Sequence, residues 1–330
     1  MAYTLFQGGR RRRPRWWRPL ALLVLLTGAA ALWTPREPAP DGPVTGTEAT
    51  APPLIADAPL PPAGGGTAPT PLGVRLDDPR DAVRVRFKRP PRSAVLFDTD
   101  TGRVLWRRDP TRPLPIASLT KLMTALVVAD RVPPGDRVRI TKAALDYGGS
   151  GVGVLPLGSR VGVATMLHGL LLPSGNDAAR ALALHAGGSL PGFVRLMNRR
   201  AQALGLTCTR FSTVDGLRNR GNASCATDLA AIARAVLRTP RLARIVRRRQ
   251  AVLPLPIKGG RVYLYNSNPL LRQGYRGTTG MKTGYTAAAG RCLVATARRG
   301  QIRLGVILLG SPDPGRQAAQ LLDRGFRASR

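Results

Sequence analysis

Glutamate is almost missing from this chain of 330 residues: Glu37 and Glu48 are the only two, and none occurs from residue 93 onward. A glutamate general acid or base is therefore excluded from that region. Histidine is nearly as scarce. His168 and His185 both fall in helix-patterned stretches with no nucleophile elbow nearby, which disfavours a Ser-His-Asp triad and leaves them as surface or packing residues. The three cysteines form no cluster with histidines or carboxylates at metal-ligand spacing, so neither a metal nor any other cofactor is expected. Aromatic residues make up 5% of the chain, and no Gly-rich or RNA-binding signature accompanies them. The net charge of +33 is therefore not read as a nucleic-acid footprint. Looser attraction to anionic polymers or lipid headgroups is the expected consequence of that charge. Lysine is the last scarcity: Lys88, Lys121, Lys142, Lys258 and Lys282 are the only five among 51 basic residues. Arginine does not lose its proton in proteins, so a chain that writes its generic cations as arginine makes each lysine conspicuous as a group that can.

The first 33 residues read as a targeting segment. Arg10 to Arg13, Arg15 and Arg18 precede a charge-free apolar run from Leu20 to Trp33, a basic region followed by a hydrophobic one. Its 14 residues would span about 21 Å as a helix, short of the roughly 30 Å hydrocarbon core. Ala29 and Ala31 suit a cleavage site, while Trp16, Trp17 and Trp33 suit a retained membrane anchor. Both alternatives place the rest of the chain outside the cytoplasm, in the cell envelope or periplasm. A retained anchor would hold it to the cytoplasmic membrane. Residues 34–92 hold 14 of the 30 prolines and the run Gly64-Gly65-Gly66, and are expected to form a disordered linker.

Residues 93–330 suffice for one sizeable domain. Ser93 to Phe97 and Arg103 to Trp106 flank a Gly-containing loop and read as a β-hairpin. Helical periodicity follows at 118–130, 163–172, 177–186, 190–204 and 226–238. Two short apolar strands, Gly290 to Ala297 and Ile302 to Leu309, and a helix at 314–328 close the chain. Strands at both ends with helices between them predict an α/β (α+β) domain: an antiparallel sheet assembled from the two ends, flanked by helices, with a helical lobe inserted.

Three short motifs lie on this frame. In Ser118-Leu119-Thr120-Lys121 the hydroxyl and the amine are one helical turn apart, at the start of an amphipathic helix. A serine becomes a good nucleophile when a neighbouring base takes its proton, and a lysine serves as that base when burial lowers its pKa. Ser174-Gly175-Asn176 forms a turn between two helices, expected to be exposed and to present a hydroxyl and a carboxamide. Lys282-Thr283-Gly284-Tyr285 precedes the two last strands. There glycine allows close backbone approach, and a strand edge can pair with an extended peptide while fixing its carboxylate. Each motif alone is also compatible with an ordinary cap, turn or hairpin.

Taken together and in this order, S-x-x-K, S-x-N and K-T-G resemble the signature of the penicillin-recognising serine acyltransferases. Within them the chain is most similar to the D-alanyl-D-alanine carboxypeptidases of the low-molecular-mass penicillin-binding proteins, over residues 93–327. Phe211 to Leu217, Tyr265 to Leu271 and Met281 to Gly290 add to the likeness. Thr213-Val214-Asp215 departs from the family's usual Asn-Pro and His at that loop. The resemblance implies a β-lactamase/transpeptidase-like fold and acylation of Ser118 by the stem peptide of peptidoglycan, with loss of its terminal D-alanine. It implies Lys121 as base, Ser174 as proton relay and Asn176 as orienting amide. The N–H groups of Ser118 and Tyr285 would form the oxyanion hole, and Lys282 with Thr283 would hold the substrate carboxylate. β-Lactam antibiotics would acylate the same serine.

The nearest rival, a β-lactamase that deacylates through a glutamate, fails for want of that residue. A non-catalytic wall-binding relative is disfavoured by intact Ser118, Lys121 and Lys282. A disulfide between Cys208 and Cys225 is expected, because both flank the Phe211 to Leu217 loop of an exported chain. Cys292 lies in an apolar run and reads as a small buried hydrophobe.

Overall fold

The computed structural model describes residues 72–78, 81–217 and 221–329. The proposed targeting segment, 1–33, and the linker up to residue 71 lie outside the described residues.

In chain order the elements are β1 (Ser93–Asp98), β2 (Val104–Arg108), a 3-10 turn (Ala117–Thr120), α1 (Lys121–Arg131), β3 (Arg137–Arg139), α2 (Lys142–Leu145), β4 (Arg160–Gly162), α3 (Val163–Leu171), α4 (Asn176–Gly187) and α5 (Leu190–Ala203). They continue with α6 (Ala226–Arg238), α7 (Pro240–Val246), β5 (Gln250–Pro254), β6 (Arg261–Tyr265), α8 (Pro269–Arg272), β7 (Thr278–Thr286), β8 (Gly290–Arg299), β9 (Ile302–Ser311) and α9 (Pro314–Ala328). The main sheet has the order β2-β1-β9-β8-β7 and is antiparallel throughout. The first and last strands of the domain therefore meet at its centre, and the helices between them form the inserted lobe.

Alternation along the central strands divides the core in two. Val95, Phe97, Val294, Ile307 and Leu309 face the helical lobe. Ala94, Leu96, Leu293, Ala295, Val306 and Leu308 face α9, where Ala318, Leu321, Leu322 and Phe326 cover them. Both faces are thus apolar, which is why these strands read as continuous hydrophobic runs. Asp313 caps α9, its carboxylate accepting from the N–H of Arg316 at 3.1 Å, and Pro314 occupies the first turn. Ser189 caps α5 in the same way.

The structure differs from the expected linker over residues 72–78 and 81–92. Arg75 bridges to Arg103, the N–H of Val83 donates to the carbonyl of Leu105, and the guanidinium of Arg107 donates to the carbonyls of Leu76 and Asp78. Val83 is buried, while Val85 and Phe87 pack on the α9-side core. Few apolar groups are needed when a formed sheet supplies the opposite surface.

Candidate active site

The helix starting at Ser118 begins as a tight 3-10 turn and becomes α-helical at Lys121. The turn keeps Ser118 and Lys121 stacked: Lys121 Nζ lies 2.9 Å from Ser118 Oγ and donates to the carbonyl of Asp215 at 2.7 Å. Lys121 is fully buried. Burial lowers its pKa to about 8, against the opposing attraction of Asp215 and Asp177.

The loop ending at Gly216 holds this turn from one side. The Thr124 hydroxyl donates to the carbonyl of Val214 at 2.6 Å, and Gly216 (φ +76°) stands so close to Ala117 that a Cβ would come within 2.0 Å of its carbonyl oxygen. The edge strand β7 holds it from the other. A Cβ on Gly284 would lie 2.9 Å from the Ile116 carbonyl and 3.1 Å from the Ser118 backbone nitrogen, so glycine is what lets the strand come this close to Ser118.

Lys282 is buried beside this contact, donating to the carbonyl of Thr283 at 2.8 Å. Burial, and then the charge of Lys121, pushes its pKa well below that of an ordinary lysine. Thr283 Oγ1 shares a 2.6 Å hydrogen bond with Ser267 Oγ. Tyr285 leaves its side chain exposed on the edge strand.

Ser174 sits between α3 and α4 and Asn176 opens α4, but the expected exposed turn is in fact buried, because α3 and α4 pack directly on α1 and close over it. Ser174 adopts φ 72°, in the left-handed region. Its Oγ and the Oδ1 of Asn176 have no hydrogen-bond partner among the described residues, while Asn176 Nδ2 donates to Gly148 at 2.6 Å. Asp177, read from sequence only as a helix starter, has a larger part. Its carboxylate accepts from the N–H groups of Val152, Gly153 and Ala178, tying the 148–153 loop to α4. The carbonyl of Asp215 and the hydroxyl of Ser267 were not singled out from sequence either. A backbone acceptor carries no signature, and Ser267 was visible only as part of the Tyr265 to Leu271 likeness. Cys208 and Cys225 are joined by a disulfide with Cα atoms 5.7 Å apart, and Cys292 is a buried free thiol. His168 is buried with its Nδ1 2.7 Å from the Ala164 carbonyl, and His185 pairs with Asp136 at the surface, both far from a nucleophile's role.

A five-stranded antiparallel sheet with an inserted helical lobe, and a half-buried serine paired with a buried lysine against its edge strand, defines the penicillin-binding-protein fold. Among solved structures, a DD-transpeptidase from Streptomyces, present as a serine-to-alanine mutant, superposes with a TM-score of 0.69 at 30% identity, covering 73% of this chain and all of that one. A D-alanyl-D-alanine carboxypeptidase from Mycobacterium tuberculosis gives 0.68 at 34% identity, covering 82% and 96%. The chain belongs to the D-alanyl-D-alanine carboxypeptidase family, whose model matches residues 86–313. It is 35% identical over 243 residues to the D-alanyl-D-alanine carboxypeptidase DacF of Bacillus subtilis, covering 71% of this chain and 62% of that protein. With DacB2 of Mycobacterium tuberculosis it shares 38% over 245 residues, 72% of this chain and 82% of that protein. The chain thus spans about three fifths of the Bacillus relative's length.

Proposed function

We propose that the protein is a serine-type D-Ala-D-Ala carboxypeptidase that trims the stem peptides of peptidoglycan and is acylated by penicillins. The observation that carries this reading is the 2.9 Å pair of Ser118 and a fully buried lysine, set against the edge strand that carries Lys282 and Thr283. Lys121 takes the Ser118 proton, Oγ attacks the penultimate D-alanine carbonyl, and the amide C–N bond breaks as the terminal D-alanine leaves with a proton. The N–H groups of Ser118 and Tyr285 stabilise the oxyanion, an effect typically worth about 2.7–4 kcal/mol per donor. Ser174 relays the proton to the leaving amine and Asn176 orients the peptide; their unpartnered buried oxygens support those roles. Water then hydrolyses the acyl-enzyme.

Two ammonium groups in one dry site repel each other, so the empty site favours a single proton shared by Lys121 and Lys282. An arriving carboxylate draws that proton to Lys282 and leaves Lys121 as the free base. Neither neighbouring carboxylate competes for this job. Asp177 is committed to three backbone N–H groups and Asp215 Oδ1 to the N–H of Leu217. The basic segment before Leu20 supports export to the cell envelope and attachment to the cytoplasmic membrane through the N-terminal residues.

Release of D-alanine from an N-acylated peptide ending in D-Ala-D-Ala tests the reading. Ser118→Ala and Lys121→Arg should both be inactive, the second because arginine keeps its proton. D-alanine release by Ser118→Ala would overturn the assignment.

A further inference from the structure

Beside the carboxylate clamp lies a cavity that trimming a D-alanine does not require. It is an open depression of about 810 Å3 lined by Arg249, Gln250, Tyr265, Asn266, Ser267 and Arg272. That volume falls in the range of sites for drug-sized ligands, ~300–1,000 Å3, and an alanine methyl leaves it empty. The cavity adjoins the clamp through Ser267, which lines the cavity and shares a hydrogen bond with Thr283.

Its position along the substrate follows from the order of residues in β7. A Cβ on Gly284 would lie 3.1 Å from the Ser118 nitrogen, and Thr283, one residue earlier, shares a hydrogen bond with Ser267. Going back along β7 from Gly284 to Thr283 thus leads from the nucleophile to the Ser267 wall, which puts this cavity on the side of the leaving residue rather than the acyl side.

Its chemistry is one-signed. Two guanidinium groups line it and no carboxylate does. Among the described residues neither Arg249 nor Arg272 has a carboxylate partner within ion-pair distance. The wall is also held in place. Arg249 donates to the carbonyl of Arg272 at 3.3 Å, and Gln250 pairs with Tyr265 across β5 and β6. Asn266 is fixed by its own N–H to the carbonyl of Arg249 and by its carboxamide to the carbonyls of Val246 and Arg248. Ser267 donates its N–H to the carbonyl of Leu172. Guanidinium forks beside a hydroxyl match a carboxylate.

We infer that this cavity is a leaving-group subsite that selects terminal D-residues carrying a second carboxylate. The inference rests on the acyl transfer proposed above and adds no new step: the Ser118 Oγ–C bond forms, the C–N bond breaks, and the departing amine belongs to an acidic residue instead of D-alanine.

The test compares kcat/KM of the full chain on N-acylated tripeptides ending D-Ala-D-Ala, D-Ala-D-Glu and D-Ala-D-Lys, reading the released amino acid. The D-Glu peptide should exceed the D-Lys peptide by about tenfold at low salt, equivalent to about 1.4 kcal/mol. The double substitution Arg249→Gln with Arg272→Gln should bring the two within about twofold of each other. Should that variant not fold, the wild-type ratio should still shrink between about 0.05 and about 0.5 M salt. Equal rates on the D-Glu and D-Lys peptides, a ratio that survives the double substitution, or one indifferent to salt would overturn the subsite. Absence of both D-alanine release and penicillin acylation in the wild type would instead overturn the underlying reaction.

Discussion

Reducing the Cys208–Cys225 disulfide perturbs the loop whose Asp215 carbonyl holds the buried Lys121, and its effect can be worked from the structure. The bridge spans 17 residues, and in the chain-entropy model closing such a loop stabilises the fold by about 3 kcal/mol. For a domain of this size that corresponds to a fall in Tm of roughly 6–12 °C on reduction. The loop does not come free altogether. Asp228 still accepts from the N–H of Cys208 and from Thr209, Thr209 still bonds Ser224, and Arg210 still pairs with Ala223. Yet this loop carries the Val214 and Asp215 carbonyls that hold Thr124 and Lys121. Penicillin acylation should therefore be lost at the same lowered temperature as the fold, and persist in the reduced protein well below it. The assay is thermal unfolding and penicillin labelling of the Cys208→Ser, Cys225→Ser double variant beside the oxidised wild type. A Tm change below about 2 °C would refute the loop-closure reasoning. Labelling lost at 25 °C with the fold intact would show that the remaining hydrogen bonds do not hold the loop.

The pH dependence of kcat/KM for D-alanine release should be a bell, because acid protonates both lysines and stops the base, while alkali strips both and empties the carboxylate clamp. Burial lowers both groups, so both limbs should lie below the ordinary lysine value of 10.5, one of them near pH 8; a rate still climbing at pH 10 contradicts the shared-proton account. Gly216→Ala forces a side chain into a left-handed residue facing the Ala117 carbonyl. It should lower stability by roughly 2 kcal/mol or more and acylation about a hundredfold, and unchanged labelling kinetics would show that the loop does not fix Ser118.

Much of this could be read from residue order. The hairpin of β1 and β2, the helices at 190–203 and 226–238, and α9 stand within a residue or two of their expected bounds, because periodicity and caps agree there. Residues 72–78 and 81–92 read as linker because composition counts apolar groups without knowing that a finished sheet awaits Val83 and Phe87. The hairpin of β5 and β6 and the short α7 went unseen, since Arg247 to Arg249, Arg261 and the exposed Tyr263 and Tyr265 mask any alternation. The three motifs placed Ser118, Lys121, Ser174, Asn176 and Lys282 in view from sequence. What it did not contain were contacts made by atoms every residue has, above all the Asp215 carbonyl on Lys121, and contacts set by tertiary packing, such as Ser267 on Thr283 and the burial of the Ser174 turn.

The central claim is that Ser118, activated by a buried lysine, forms a covalent acyl-enzyme. Mass spectrometry of the protein after brief exposure to a penicillin measures it directly. One intact penicillin should add to each wild-type chain and map to the peptide containing Ser118, with no adduct on Ser118→Ala or Lys121→Arg. An adduct located on another residue, or one that persists in Ser118→Ala, would contradict the account.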